Sequence, residues 1–292
     1  MTERRMKKTY GRALKRRRQR RRRRVLWLAA LAAAVLLVMG LSRSIGYVRT
    51  LFETGGRSET MKVDDSNLDE ALRARAREDG RYQTLIDHQE DYPESLLEMA
   101  ARNSETLDFV LDYPKNKDNA PQSSVGSVTA GQIPLLLQWD ERWGYSTYGD
   151  DLLAVTGCGP TVLSMVVSGL TGDSSITPYV VARYAQENGY YVSGTGTSWS
   201  LMSEGCSYFG LTADELSLSE ASVFNALDSG CPIICSVRPG DFTTTGHFIV
   251  IYGKENGQLK IHDPNSKANS EQLWDYDRVA AQINNLWAYH LS

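Results

Sequence analysis

The stretch that decides the fold is GCGPTVLSMVVSGLTG, residues 157–172. Pro160 suits the first turn of a helix, and Met165, Val166 and Val167 continue it, so the spacing predicts a loop that enters an apolar helix with Cys158 at its start. Outward from it, TPYVVARYAQENG (177–189) reads as a second helix stopped at Gly189, and Thr197–Phe209 as a third. A fourth opens at Ser219-Glu220 and ends at Gly230. Strand-like runs follow: PIICSVR (232–238), HFIVIYG (247–253) and QLKIHD (258–263). Asn256-Gly257 turns the last two into a hairpin. A short helix is expected over 276–285 and a last strand at LWAYHL (286–291). Helices first and strands later make the class α+β with an antiparallel sheet, N-terminal helices packed upon it.

Three places in this region carry chemistry. A thiol at position 158 sits at the positive end of a helix dipole beside free N–H groups, surroundings that favour the thiolate nucleophile. Gly157 and Gly159 would let the backbone approach a substrate carbonyl closely, and the Cys158 N–H could donate to an oxyanion. His247, beside Gly246 at a strand start, points to a cleft and could take and return the thiol proton. Asp263 ends the partner strand of the hairpin and could hold the second ring nitrogen of His247. Taken singly, each has a plainer explanation: inert packing for a cysteine, a structural role for a histidine, a turn for Asp-Pro. The combination, in that chain order, carries the reading.

The set GCGPT, GHFIVIYG and HDPN resembles the papain-like cysteine peptidases of the bacteriocin-leader (double-glycine) class, in their stand-alone, cell-surface branch. QWDERWG (138–144) and NLWAY (285–289) resemble that branch too. The resemblance spans roughly residues 132–291. It implies a papain-like fold, a cysteine nucleophile, a histidine base, an aspartate orienter and a glutamine donor to the oxyanion hole. These fall on Cys158, His247, Asp263 and Gln138. Gln138 departs from the transporter-linked leader peptidases, whose glutamine precedes the cysteine by only a few residues. Here Leu152 occupies that place and Gln138 lies 20 residues upstream. An insertion over 145–156 would return Gln138 to the site; otherwise it holds a loop in place.

Other candidates are Trp199, with Gly196 and Thr197, which either lines the substrate cleft or is a core tryptophan. Asp241 and Thr243–Thr245 are candidates for a loop over the cleft. His262, next to Asp263, should point to the opposite face and to the surface. Cys206, Cys231 and Cys235 read as buried small hydrophobes. No ligand-pair spacing points to a metal, and the chemistry needs no cofactor.

The remainder of the chain is organised differently. Of 292 residues, 41% are hydrophobic and 23% charged, which excludes a disordered chain, a collagen-like fibre and a multi-span membrane protein. Four cysteines exclude a disulfide-dense scaffold. The net charge of -3 hides an asymmetry. Residues 1–24 hold 14 Lys/Arg against Glu3, leaving 18 of the 32 basic and 34 of the 35 acidic residues to the rest. Val25–Leu41 then runs 17 residues without a charge. We therefore expect a basic cytoplasmic segment (1–24), a transmembrane signal-anchor (25–42), a linker (43–65), a helical stalk region (66–114), a second, flexible linker (115–131) and the peptidase-like domain (132–292). The chain would sit in the cell membrane as a single-pass protein with its N-terminus cytoplasmic and its domain outside. The arginine tract would hold the anchor and touch anionic lipid rather than nucleic acid. The stalk helices, with an apolar face at Leu96, Leu97, Met99, Leu107, Phe109, Val110 and Leu111, should pack on themselves or on the main domain, without a part in catalysis.

The expected function is that of a membrane-anchored extracytoplasmic cysteine peptidase acting on a peptide or protein substrate. An amidase or transpeptidase acting on wall peptides, or a non-catalytic surface binding module, are the alternatives.

Overall fold

A computed structural model of the chain describes residues 67–292. The expected basic segment, membrane span and first linker (1–24, 25–42, 43–65) lie outside the described residues. Among the described residues, no helix is long and apolar enough to cross a membrane.

The centre is a six-stranded antiparallel sheet: β1 (Leu211–Glu215), β2 (Ile233–Val237), β3 (His247–Glu255), β4 (Gln258–His262), β5 (Leu273–Trp274) and β6 (Ile283–Leu291), in the order β1-β6-β2-β3-β4-β5. Every residue of β2 is buried, because the sheet is covered on both faces and a covered central strand needs no polar side. On one face, Ile234, Phe248, Val250, Trp287 and Tyr289 meet Val162, Leu163 and Val166 of helix α5 (Cys158–Thr171), with α6 (Pro178–Glu187) behind it. On the other, Ile233, Cys235, Val237, Ile249, Ile251 and Ile261 pack with Val223 of α7 (Glu220–Asp228) and Val279 of α9 (Tyr276–Ala280). The local signals act as expected. Ser219 caps α7 through its side chain, and Asn256 and Gly257 turn the β3–β4 hairpin at φ 53° and 81°.

Two elements depart from expectation. The anticipated helix over 197–209 divides into a two-residue strand (Gly196–Thr197), one turn of helix (Ser200–Ser203) and a 3-10 turn (Gly205–Phe209). Gly210 then turns the chain at φ 77° into β1, an edge strand with too few apolar residues to announce itself. The helix expected over 276–285 stops at Ala280, since Ile283 and Leu286 are buried in the sheet as part of β6.

Ahead of the sheet lie α1 (Leu68–Glu78), α2 (Tyr82–Asp87), α3 (Glu94–Arg102) and α4 (Leu107–Leu111). Their apolar faces close around Leu72, Leu85, Leu96 and Val110, and the cluster is completed by Trp139, Tyr145, Leu152 and Ala154 from farther along the chain. Phe109 stacks on Tyr145 at 4.2 Å, and the Tyr145 hydroxyl donates to the Phe109 carbonyl at 2.8 Å. Residues 117–131 carry no helix or strand, yet they are tied down rather than free. The Gln122 N–H donates to the Arg142 carbonyl, the Val125 N–H to Ser174, and the Val125 side chain is buried.

Candidate active site

Cys158 opens α5 and is half-buried, with Gly157 at the cap position. His247 opens β3, and Asp263 follows β4 directly. Pairing of Ile251 with Ile261 puts the odd-numbered side chains of both strands on one face, so His247 and Asp263 share that face. Asp263 is fully buried, and its Oδ1 lies 2.8 Å from His247 Nε2. The Cys158 thiol lines the same cleft as the ring and raises its proton affinity, and with Nε2 given to Asp263 it is Nδ1 that is left for a substrate-side partner. Burial alone would push the His247 imidazolium down. The Asp263 carboxylate, its hydrogen bond to the ring and the nearby Cys158 thiol outweigh it, and the ring holds its proton well above the ordinary histidine range. A thiol beside an imidazole that a carboxylate orients can give its proton to the ring, which leaves the sulfur free to attack a carbonyl carbon.

The carboxylate is itself held. Asp263 Oδ1 also accepts from the Asn265 N–H at 2.8 Å, and Oδ2 accepts from Asn269 Nδ2 at 2.8 Å. Asn269 lies on α8 (Lys267–Glu271), a short helix absent from the sequence reading. Both carboxylate oxygens of Asp263 are thus held by fixed donors besides the ring.

The three side chains open on one cleft of about 170 Å³. Gln138, 20 residues upstream of Cys158, lines the cleft as well. Its backbone N–H donates to the Pro264 carbonyl at 2.8 Å, and its Nε2 donates to Ala154 O at 2.7 Å and more weakly to Val155 O at 3.3 Å. Its Oε1 is buried with no hydrogen-bond partner among the described residues. The loop Asp241–Gly246 forms one wall. Asp241 anchors it through paired bonds to Arg278 at 2.6 and 2.8 Å and a bond from Gln282 at 2.7 Å. Arg102 and Asn103, from the end of α3, line the cleft too. No sequence signal marked Arg102 or Asn269 for the site; Asn265 belongs to the HDPN motif, and Asn103 joins the site through its bond to the Asn265 carbonyl, 162 positions away.

Several candidates are placed differently from expectation. Gly157 and Gly159 are outside the cleft lining. A Cβ on Gly157 would lie 2.3 Å from the Leu153 carbonyl, and one on Gly159 2.6 Å from the Thr197 hydroxyl, so packing at the helix start demands both glycines. Gly246 lines the cleft, with no atom nearer than 4.0 Å to where its Cβ would be. Trp199 is neither core nor cleft: it is 46% exposed and leans edge-on against Trp287 at 5.8 Å. His262 does face the other side of the sheet from Asp263, but that side is covered. The ring is buried, stacked on Tyr252 at 3.9 Å, and its Nε2 donates to the Ile133 carbonyl at 3.0 Å. Burial lowers its pKa to about 4. Cys206 and Cys235 are buried and their thiols pushed up by burial, whereas Cys231 is only half-buried. Among the described residues, no group of three His, Cys, Asp or Glu is placed to hold a metal ion.

Comparison with known families matches residues 131–290, more than half of the chain, to the Peptidase_C39 like family. The chain belongs to that family. Membership accounts for the mixed α+β papain-like architecture and points to cysteine peptidase activity. Among solved structures, the chain is similar to the peptidase domain of Streptococcus ComA, a bi-functional ABC transporter involved in a quorum sensing pathway. The identity is 22%, over 55% of this chain and 98% of that one, with a TM-score of 0.40. It is also similar to a C39-like peptidase from Bacillus anthracis, at 15% identity over 57% of this chain and 98% of that one, with a TM-score of 0.37. No curated protein matches the chain. The family match leaves out α1–α4, and with them Arg102 and Asn103 of the cleft wall.

Proposed function

We propose that this chain is a membrane-anchored, outward-facing cysteine peptidase that hydrolyses peptide bonds with Cys158, His247 and Asp263. One observation carries the reading: His247 lies 2.8 Å from the Asp263 carboxylate, and the two line one cleft with Cys158, whose thiol raises the proton affinity of the ring. His247 carries, as imidazolium, the proton that the thiol gives up, and Cys158 Sγ forms a bond to the substrate carbonyl carbon. The resulting oxyanion is met by the Cys158 N–H and by the Gln138 amide. That amide keeps one N–H on Ala154 O and turns the other from its longer contact at Val155 toward the substrate. His247 then gives its proton to the leaving amine, the C–N bond breaks, and a thioester remains. Water attacks the thioester as His247 takes a proton from it; the acid leaves and the thiol is restored. Asp263 keeps the ring in register throughout. The uncharged run Val25–Leu41 behind an arginine tract supports the anchor and its orientation.

The test is a peptide library incubated with the full-length protein and read by mass spectrometry. Cleavage by the wild type and none by a folded Cys158→Ala variant is the expected outcome. Equal cleavage by that variant overturns the reading.

A further inference from the structure

The helical segment ahead of the family domain does more than line the cleft. We propose that Glu105, between α3 and α4, is a positioning residue for Asp263, acting through α8. The inference rests on the proposed roles of Cys158, His247 and Asp263.

The Glu105 carboxylate takes three donors from the start of α8. Ser266 Oγ and the Ala268 N–H reach its Oε1 at 2.9 and 3.2 Å, and the Lys267 N–H reaches its Oε2 at 2.7 Å. These partners lie more than 160 positions away along the chain. Beside it, Asn103 accepts the Glu105 N–H on Oδ1 at 3.0 Å and donates Nδ2 to the Asn265 carbonyl at 2.7 Å. One turn between α3 and α4 therefore grips both the loop that follows Asp263 and the helix after it.

The grip matters because α8 has only five residues. A helix that short has no standing of its own, and its first N–H groups need acceptors. The chain nearby offers Ser266 Oγ, which serves the Asn269 N–H. Glu105 serves the two preceding N–H groups, as a charged cap supplied from another part of the molecule. Asn269, at the middle of α8, then delivers its Nδ2 to Asp263 Oδ2, and Asn265 its N–H to Oδ1. The path runs from Glu105 to α8, from Asn269 to Asp263, and from Asp263 to the ring that meets Cys158. Without the cap, α8 loosens, Asn269 wanders, and Asp263 gains freedom to rotate off His247.

A purely structural role would be satisfied by the same bonds, so the test needs a readout at the ring. The full-length protein has four histidines, few enough to follow individually by NMR. Asp263 and Cys158 are the titratable groups that face the His247 ring. In Glu105→Ala and in Asn269→Ala, the His247 midpoint is expected to fall by about one pH unit, a tenfold loss of proton affinity. Glu105→Gln, which keeps one acceptor oxygen, should fall between them and wild type. The double variant should do no more than the larger single one, because both act on one path. Peptide cleavage, where present, should fall about tenfold in kcat with little change in KM. A His247 titration unchanged in all three single variants overturns the proposal, whatever happens to thermal stability. That outcome is separate from failure of the peptidase reading, which shows as full cleavage by Cys158→Ala and does not involve the ring titration.

Discussion

The helices of residues 68–111 and the domain of residues 131–290 reach a packed state by different routes. The sheet has two apolar faces, and each is covered from within the domain: by α5 and α6 on one side, by α7 and α9 on the other. The helices of residues 68–111 cannot close their core alone. They borrow Trp139, Tyr145, Leu152 and Ala154 to do it, and in return they lend Arg102 and Asn103 to the cleft and Glu105 to α8. The exchange teaches that a change in composition along a chain marks where patterns differ, not where function stops. A segment outside the matched family region can complete the family's site.

The largest effect on that comparison should come from Asp263, where both regions converge. Asp263→Asn keeps the shape but removes the carboxylate, and the rate of peptide cleavage should fall by ~10²–10⁴-fold. The pH dependence should move with it. In the wild type, the raised pKa of His247 keeps the imidazolium charged above its ordinary 6.5, so the basic limb of kcat/KM lies well above that value. The Asn variant brings that limb down. In folding terms, the stability contributed by the His247 proton is fully present below 6.5 and is lost as pH rises through the raised value. Urea titrations from pH 6 to 10 should show that loss in the wild type and a flatter course in the variant.

A middle-sized effect tests whether the helices are a stalk or a part. Leu96 is fully buried among them, and Leu96→Ala should cost about 2–5 kcal/mol. With the two regions sharing a core, thermal unfolding should remain one transition at a lower temperature, and alkylation of Cys158 should change with it. Two transitions, with Cys158 reacting as in the wild type, would break the comparison and return the helices to the status of a separate stalk.

The smallest effect concerns the other buried histidine of the hairpin. His262 is held neutral by burial, with its pKa at about 4. Between pH 6.5 and that value the unfolded chain gains a proton that the folded protein refuses, so stability falls as pH falls. His262→Gln can keep a donor to the Ile133 carbonyl without titrating. Its stability curve should be flatter than wild type from pH 6.5 down to 4, with little difference at pH 8. A steeper acid loss in the variant would refute the assignment.

Much of the site could be read from local chemistry. The glycine and proline around Cys158 announced a helix start, and a helix starts there. Asn256-Gly257 set the hairpin, and a period of two put His247 and Asp263 on one face with His262 on the other. What the same rule missed was that the second face is also covered, so His262 is buried. Trp199 misled because a tryptophan signals burial or binding by its size alone, while its actual exposure depends on Trp287, a neighbour 88 positions away. Gly157 and Gly159 suggested access for a substrate, but the atoms that exclude a side chain there belong to Leu153 and Thr197.

By itself the sequence determined the order of elements near the site, the chemical types that meet there and their chain order. Those follow from backbone preferences and side-chain period, which act over a few residues. Only the tertiary structure decided that Gln138 returns to the cleft, that α8 holds Asp263, and that Glu105 caps α8. The bond from α8 to Asp263 spans only six positions but needs a helix held by Glu105 more than 160 positions away, and Gln138 meets Pro264 across 126; nothing in either distant partner's neighbourhood specifies the other. These contacts form because burying the apolar faces of α1–α4 against Trp139 and Tyr145 brings the polar groups at the rim within bonding distance.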